Sequence, residues 1–154
     1  MDTATNASKA ASRFWPEVVA CWQQLPDKTL FFVLLVAWLA LFHFFGNPVF
    51  GYIDTASLFH WMKYAYGDPL FEDSHGQVIP LVVLGLCWWK RRELLSLPLK
   101  EWWPGLGILA GALVLHVIGY LAQQPQVSIV ALFVGIYGLM GLVWGRQWLA
   151  GGFF

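Results

Sequence analysis

The run TLFFVLLVAWLALFHFF, Thr29–Phe45, carries no charged residue and is closed by Gly46-Asn47-Pro48. A helix rises about 1.5 Å per residue, so about 20 residues cross the hydrocarbon core of a bilayer. Thr29–Phe45 reaches that length once its flanks are counted. It reads as a membrane-spanning helix.

Three similar runs lie outward from it. Val78–Trp89 is shorter, but Ser74–Gln77 extends it at one end and Lys90-Arg91-Arg92 at the other. Long basic side chains there reach back to the headgroups and lengthen the effective span to about 76–90. Trp102–Leu121 and Val127–Gly145 are both uncharged and are joined by a polar turn, Ala122–Pro125. Both are rich in glycine, and Gly107/Gly111 and Gly141/Gly145 have the GxxxG spacing that lets membrane helices approach closely. Beyond Gly145 a further hydrophobic segment begins just before Phe153-Phe154.

Composition points the same way. The 154 residues are 58% hydrophobic and 12% charged, with a mean hydropathy of +0.59. Ordinary soluble domains are roughly 45–50% apolar and about 25% charged. The fold class is therefore all-α: a polytopic transmembrane helix bundle of four spans (about 29–45, 76–90, 102–121 and 127–145) plus the start of a fifth. Residues 1–28 form an N-terminal segment, 29–154 one transmembrane domain, and 46–75 a loop between the first two spans. A formal net charge of zero gives no bulk electrostatic case for nucleic acid. The lipid bilayer is the expected partner.

No small-residue cleavage site follows the first span, so it should stay as an uncleaved anchor. Ahead of it, Phe14, Trp15, Val18, Val19 and Trp22 form an apolar stripe, with Pro16 and Pro26 as breaks, which predicts a short helix at the cytoplasmic interface.

Orientation follows from the basic residues, which concentrate in cytoplasmic loops. Lys9, Arg13 and Lys28 precede span one; Lys90, Arg91, Arg92 and Lys100 lie between spans two and three; Arg146 follows span four. The loop 46–75 holds Lys63 against Asp54, Asp68, Glu72 and Asp73. That loop should face outside, with the N-terminus and the 90–100 connection in the cytoplasm. Within it, Asp54-Thr55 predicts a capped helix over TASLFHWMKYAY whose aromatic residues suit either the outer headgroup layer or packing on the bundle itself.

On this topology His43, His60, His75 and His116 all fall in the outer half. No HxxxH or HExxH spacing is present, and no metal or other cofactor is expected. His116 stands out because an ionisable side chain inside a span carries a functional expectation by default. Its structural alternative is a hydrogen bond to a neighbouring helix. The run Asp73-Ser74-His75-Gly76-Gln77 reads first as a capping box opening span two, with Glu72 and Asp73 at the positive end of the helix dipole. Asp73, Ser74, His75 and His116 are the candidate accessory site residues. Cys21 and Cys87 fall on the cytoplasmic side, where thiols stay reduced, and neither sits in a nucleophile motif.

Several of these features together resemble the exosortase/archaeosortase family. They are an aromatic external helix, then Asp73-Ser74-His75-Gly76 before a span with an early proline, and Trp89-Lys90-Arg91-Arg92-Glu93-Leu94. A Trp102-Trp103-Pro104-Gly105-Leu106 opening and a closing Trp144-Gly145-Arg146 complete the set. The resemblance implies a bacterial inner-membrane cysteine peptidase with about eight spans. Such an enzyme cleaves a C-terminal sorting tail from exported proteins and transfers or anchors them. It implies that the catalytic Cys, Arg and His lie in the family's second half, so that residues 1–154 correspond to the N-terminal half and carry no catalytic residue. The partners implied are exported proteins bearing such a tail. The competing expectation is a non-catalytic tetraspan interaction or assembly protein.

Overall fold

The computed structural model describes residues 15–49, 54–67 and 79–152, and the regular structure among them is helical throughout. In chain order the helices are α1 over 15–24, α2 (Lys28–Phe45), α3 (Leu58–Gly67), α4 (Ile79–Trp89), α5 (Arg91–Ser96), α6 (Gly105–Leu121), α7 (Pro125–Trp144) and α8 (Arg146–Gly151). Two of them, α2 and α7, are long and apolar enough to cross a membrane, and α6 is a shorter apolar helix. The 18 residues of α2 reach about 27 Å and the 20 of α7 about 30 Å. The expected second span begins in residues that lie outside the described ones; its described part, α4, has 11 residues.

The helix ends have local causes. Gly46 caps α2, and an added Cβ there would meet the Phe42 carbonyl and the Leu58 Cβ, so α3 can close tightly over the end of α2. Helix α6, expected as the third span, starts three residues later than the sequence predicts. Pro104 supplies no N–H, and Gly105 instead bonds back to the Trp102 carbonyl in a tight turn before α6 begins. The fourth starts two residues earlier, because Pro125 takes the N-terminal position that tolerates a missing N–H. Gly145 breaks the chain between α7 and α8: its φ of 97° lies in the left-handed region, and a Cβ would strike the Lys100 carbonyl.

The bundle is built on an antiparallel α6–α7 hairpin. Gly105 of α6 sits against the Leu142 backbone nitrogen, Gly138 against Ile108 and Leu109, and Gly119 against Val127 and Ser128. Every one of these contacts needs a missing side chain. Gly107 and Gly111, spaced as GxxxG, take no part in it, since both face open space. The α6 face that packs is instead Gly105, Ala112, His116 and Gly119, all buried. Helix α2 runs antiparallel to α7: Phe31 packs on Trp144 at one end (ring centroids 4.4 Å), and Phe42 meets His116 at the other. Midway, the Trp38 ring lies in the space left by Gly135, and its Nε1 donates to the Leu132 carbonyl at 3.1 Å.

The outer faces remain apolar. Val33 and Val36 of α2, Val114 and Leu121 of α6, and Val130 of α7 are all exposed. Apolar surface on this scale marks an interaction face, and on helices of this length the partner is lipid. Helix α3 takes the second of its two expected placements and docks on the bundle end: Leu58 is fully buried, and Phe59 and Met62 pack against the core, with Lys63 and Tyr64 outward. Its cap is Ser57 rather than Asp54 or Thr55, the Ser57 hydroxyl accepting from the His60 N–H at 3.4 Å.

Candidate functional site

The helix-α2 C-terminus and the α6–α7 turn form one end of the bundle, where three histidines gather. His116 is buried, its ring against Phe42 and edge-on to Tyr120. Its Nδ1 lies 3.1 Å from the Ser128 hydroxyl of α7. This contact ties α6 to α7, which is the neighbouring-helix alternative raised by the sequence.

His43 stands a turn away on the outside of the same end. Its Nδ1 lies 3.1 Å from the Ser57 hydroxyl, and its ring stacks on Phe59. Asn47, 1% exposed, holds the connection to α3 in place: Nδ2 donates to the Thr55 carbonyl at 2.7 Å, and Oδ1 accepts from the Val49 N–H. This side chain was not singled out by sequence reasoning. A polar residue wedged between Gly46 and Pro48 was the signal for it. His60 is exposed on α3. Asp73, Ser74 and His75 lie outside the described residues. Among the described residues no three His, Cys, Asp or Glu side chains come together as metal ligands would.

The opposite end brings together segments far apart in sequence. Arg91, just past α4, donates to the Trp88 carbonyl at 2.8 Å, stacks on the Trp88 ring at 4.1 Å and pairs with Glu17 of α1 at 2.5 Å. Leu94 is buried and reaches Gly151 of α8. Trp102 donates its backbone N–H to the Leu142 carbonyl at 3.0 Å, one of the carbonyls left open at the end of α7. Trp144 bonds the Pro26 carbonyl through Nε1 at 3.3 Å and packs on Trp148. Three motifs singled out in the sequence, at 89–94, 102–106 and 144–146, therefore meet at one end.

A family model described as transmembrane exosortase (Exosortase_EpsH) matches residues 70–154, more than half of the chain. The chain belongs to the transmembrane exosortase family. The match takes in every motif from Asp73 to Arg146 on which the resemblance rested. No curated protein and no solved structure matches.

For an exosortase-family chain the placement of the thiols is informative. Cys21 and Cys87 line one groove of about 360 Å³ together with Trp22, Trp88, Arg91 and Trp148. That groove is level with the start of α2 and the end of α7, whereas His43 and His116 sit at the other end of those helices. The two are separated by most of the length of α2, about 27 Å. A thiolate and its base must lie within about 3 Å of each other or be bridged by one water. The described cysteines and histidines do not form such a pair. That Cys21 and Cys87 share a groove escaped the sequence reading, though Val18, Cys21, Trp22 and Leu25 have the i, i+3, i+4, i+7 spacing of one helix face.

Proposed function

We propose that this chain is the scaffold portion of a membrane exosortase acting on exported proteins that carry a C-terminal sorting tail. The reaction is cleavage of the tail coupled to transfer or anchoring. The family match over 70–154 is the observation that carries this reading. The protein sits in the bacterial inner membrane with four spans. Its N-terminus and the 90–100 connection are cytoplasmic, and the 46–75 loop lies outside, where an exported substrate would arrive. The basic-residue asymmetry supports this orientation.

In this reading residues 1–154 hold the outer face in shape and the nucleophile comes from elsewhere. Peptide transfer requires an activated nucleophile, a base in hydrogen-bond reach and donors for the oxyanion. Cys21 and Cys87 lie at the end away from His43 and His116, and His116 is bonded to Ser128. His116 is then a positioning residue, and Asp73, Ser74 and His75 shape the mouth of span two.

Two arms test the proposal. Deleting the gene from its native cell should leave tail-bearing exported proteins at their unprocessed length; unchanged processing overturns the reading. Residues 1–154 expressed with such a substrate, in cells without any other exosortase, should give no cleavage. Cleavage lost in Cys21→Ser or Cys87→Ser would show that the chemistry resides in this chain.

A further inference from the structure

The groove at the cysteine end has no part in the proposed reaction, yet its make-up is specific. One wall is Val18 and Trp22 of α1, and the other is Cys87 and Trp88 of α4, so the interior is apolar. Arg91 is the charged residue of the lining, held by Glu17 and the Trp88 ring. Arg92 follows it with a side chain 84% exposed, 4.0 Å from the same Glu17 carboxylate. Lys28 caps the α1 carbonyls, donating to the Trp22 oxygen at 2.6 Å and lying over the Trp22 ring. This end of the described structure carries six basic residues (Lys28, Lys90, Arg91, Arg92, Lys100, Arg146) against four acidic ones (Glu17, Asp27, Glu93, Glu101).

We propose that this groove binds an anionic phospholipid, with an acyl chain between α1 and α4 and the phosphate on Arg92 and Arg91. The groove lies where the apolar helices end, which is the depth at which a lipid changes from tail to headgroup. An apolar trough beneath two adjacent arginines matches that change, since the trough takes the chain and a guanidinium takes phosphate in paired hydrogen bonds. Clustered basic residues next to a span select anionic lipid by roughly fivefold per residue. Glu17 sets the strength of the site by competing for both guanidinium groups. A lipid there would act as a wedge between α1 and α4, beside the Arg91–Glu17 pair.

The native cysteines report on the groove. The chain is placed in phosphatidylcholine nanodiscs with or without phosphatidylglycerol, and the rate of maleimide labelling at Cys21 and Cys87 is measured. Phosphatidylglycerol should slow both by about fivefold or more. Arg92→Gln should abolish most of that slowing, and Glu17→Gln should deepen it. Inorganic phosphate added to phosphatidylcholine discs should give no slowing, because the chain is needed to fill the trough. A cysteine placed outside the groove by Ser96→Cys controls for the general effect of surface charge and should keep its rate. Equal rates in the two lipids overturn the proposal, as does slowing that survives Arg92→Gln, slowing by phosphate alone, or equal slowing at position 96. None of these readouts depends on tail cleavage, so failure here leaves the exosortase reading standing.

Discussion

At the scale of the residue, His116 and Trp38 solve the same problem in different ways. Each is a bulky side chain with a polar nitrogen inside an apolar bundle, and each spends that nitrogen on a carbonyl or hydroxyl of another helix. Hydrogen bonds between membrane helices contribute about 0.6 kcal/mol on average and up to about 1.7. Overpacking a filled site costs about 1–3 kcal/mol. The two magnitudes set an order. Ser128→Ala, which removes the His116 partner, should lower the detergent melting temperature modestly. Gly135→Ala, which drives a methyl into the Trp38 ring, should lower it more. Thermal unfolding followed by size-exclusion recovery measures both, and the reverse order would mean that the His116 contact carries more of the fold than its geometry allows.

The histidines were legible in part. His43, His60 and His116 gather at one end, as the sequence reading has them, but the role of His116 required knowing that Ser128 of α7 lies beside the ring. No spacing within a single span encodes that. Ser57 was hidden for a related reason: Asp54, Thr55 and Ser57 are all good caps, and the choice was made by the docking of Leu58 beneath Gly46. For Ser74 the sequence argument stands by itself. Ser74→Ala should cost about 1 kcal/mol of helix stability and modestly lower the inserted protein. Full-length processing lost at unchanged protein level would instead make Ser74 functional.

At the scale of the element, apolar length and flanking breakers located α2, α6 and α7 to within a few residues. The shifts at α6 and α7 trace to two prolines, Pro104 and Pro125, whose missing N–H groups fix where a helix can start. The GxxxG spacings supported a helix bundle and nothing more specific, because GxxxG counts spacing on one helix, while contact depends on which face the partner covers. Gly105, Ala112 and Gly119 recur every seven residues and face α7, while Gly107 and Gly111 face outward. The two classes of glycine should therefore respond differently. Gly107→Ala meets no atom and should leave stability within about 0.5 kcal/mol. Gly138→Ala presses on Ile108 and the Leu109 backbone and should destabilise measurably. Equal tolerance at both positions would dissolve the α6–α7 interface described above.

At the scale of the whole molecule the bundle has two chemically distinct ends joined by apolar walls. Among the described residues, one carries His43, His60, His116 and the Asn47–Thr55 bond; the other carries Arg91, Arg92, the tryptophan cluster and both thiols. The described basic residues other than Lys63 lie at the second end, and such an asymmetry is what would set the direction of insertion. What the sequence could not convey was convergence: Glu17, Arg91 and Trp148 lie in three distant segments and meet only once α1, α5 and α8 are folded over the ends of α2 and α7. The most direct test of the arrangement is a pair of reporter fusions, alkaline phosphatase and green fluorescent protein, each joined after Gly67 and after Ser96. We expect phosphatase activity without fluorescence at Gly67, and fluorescence without phosphatase activity at Ser96. The same signal at both positions would place the two ends on one side of the membrane and contradict the proposed topology.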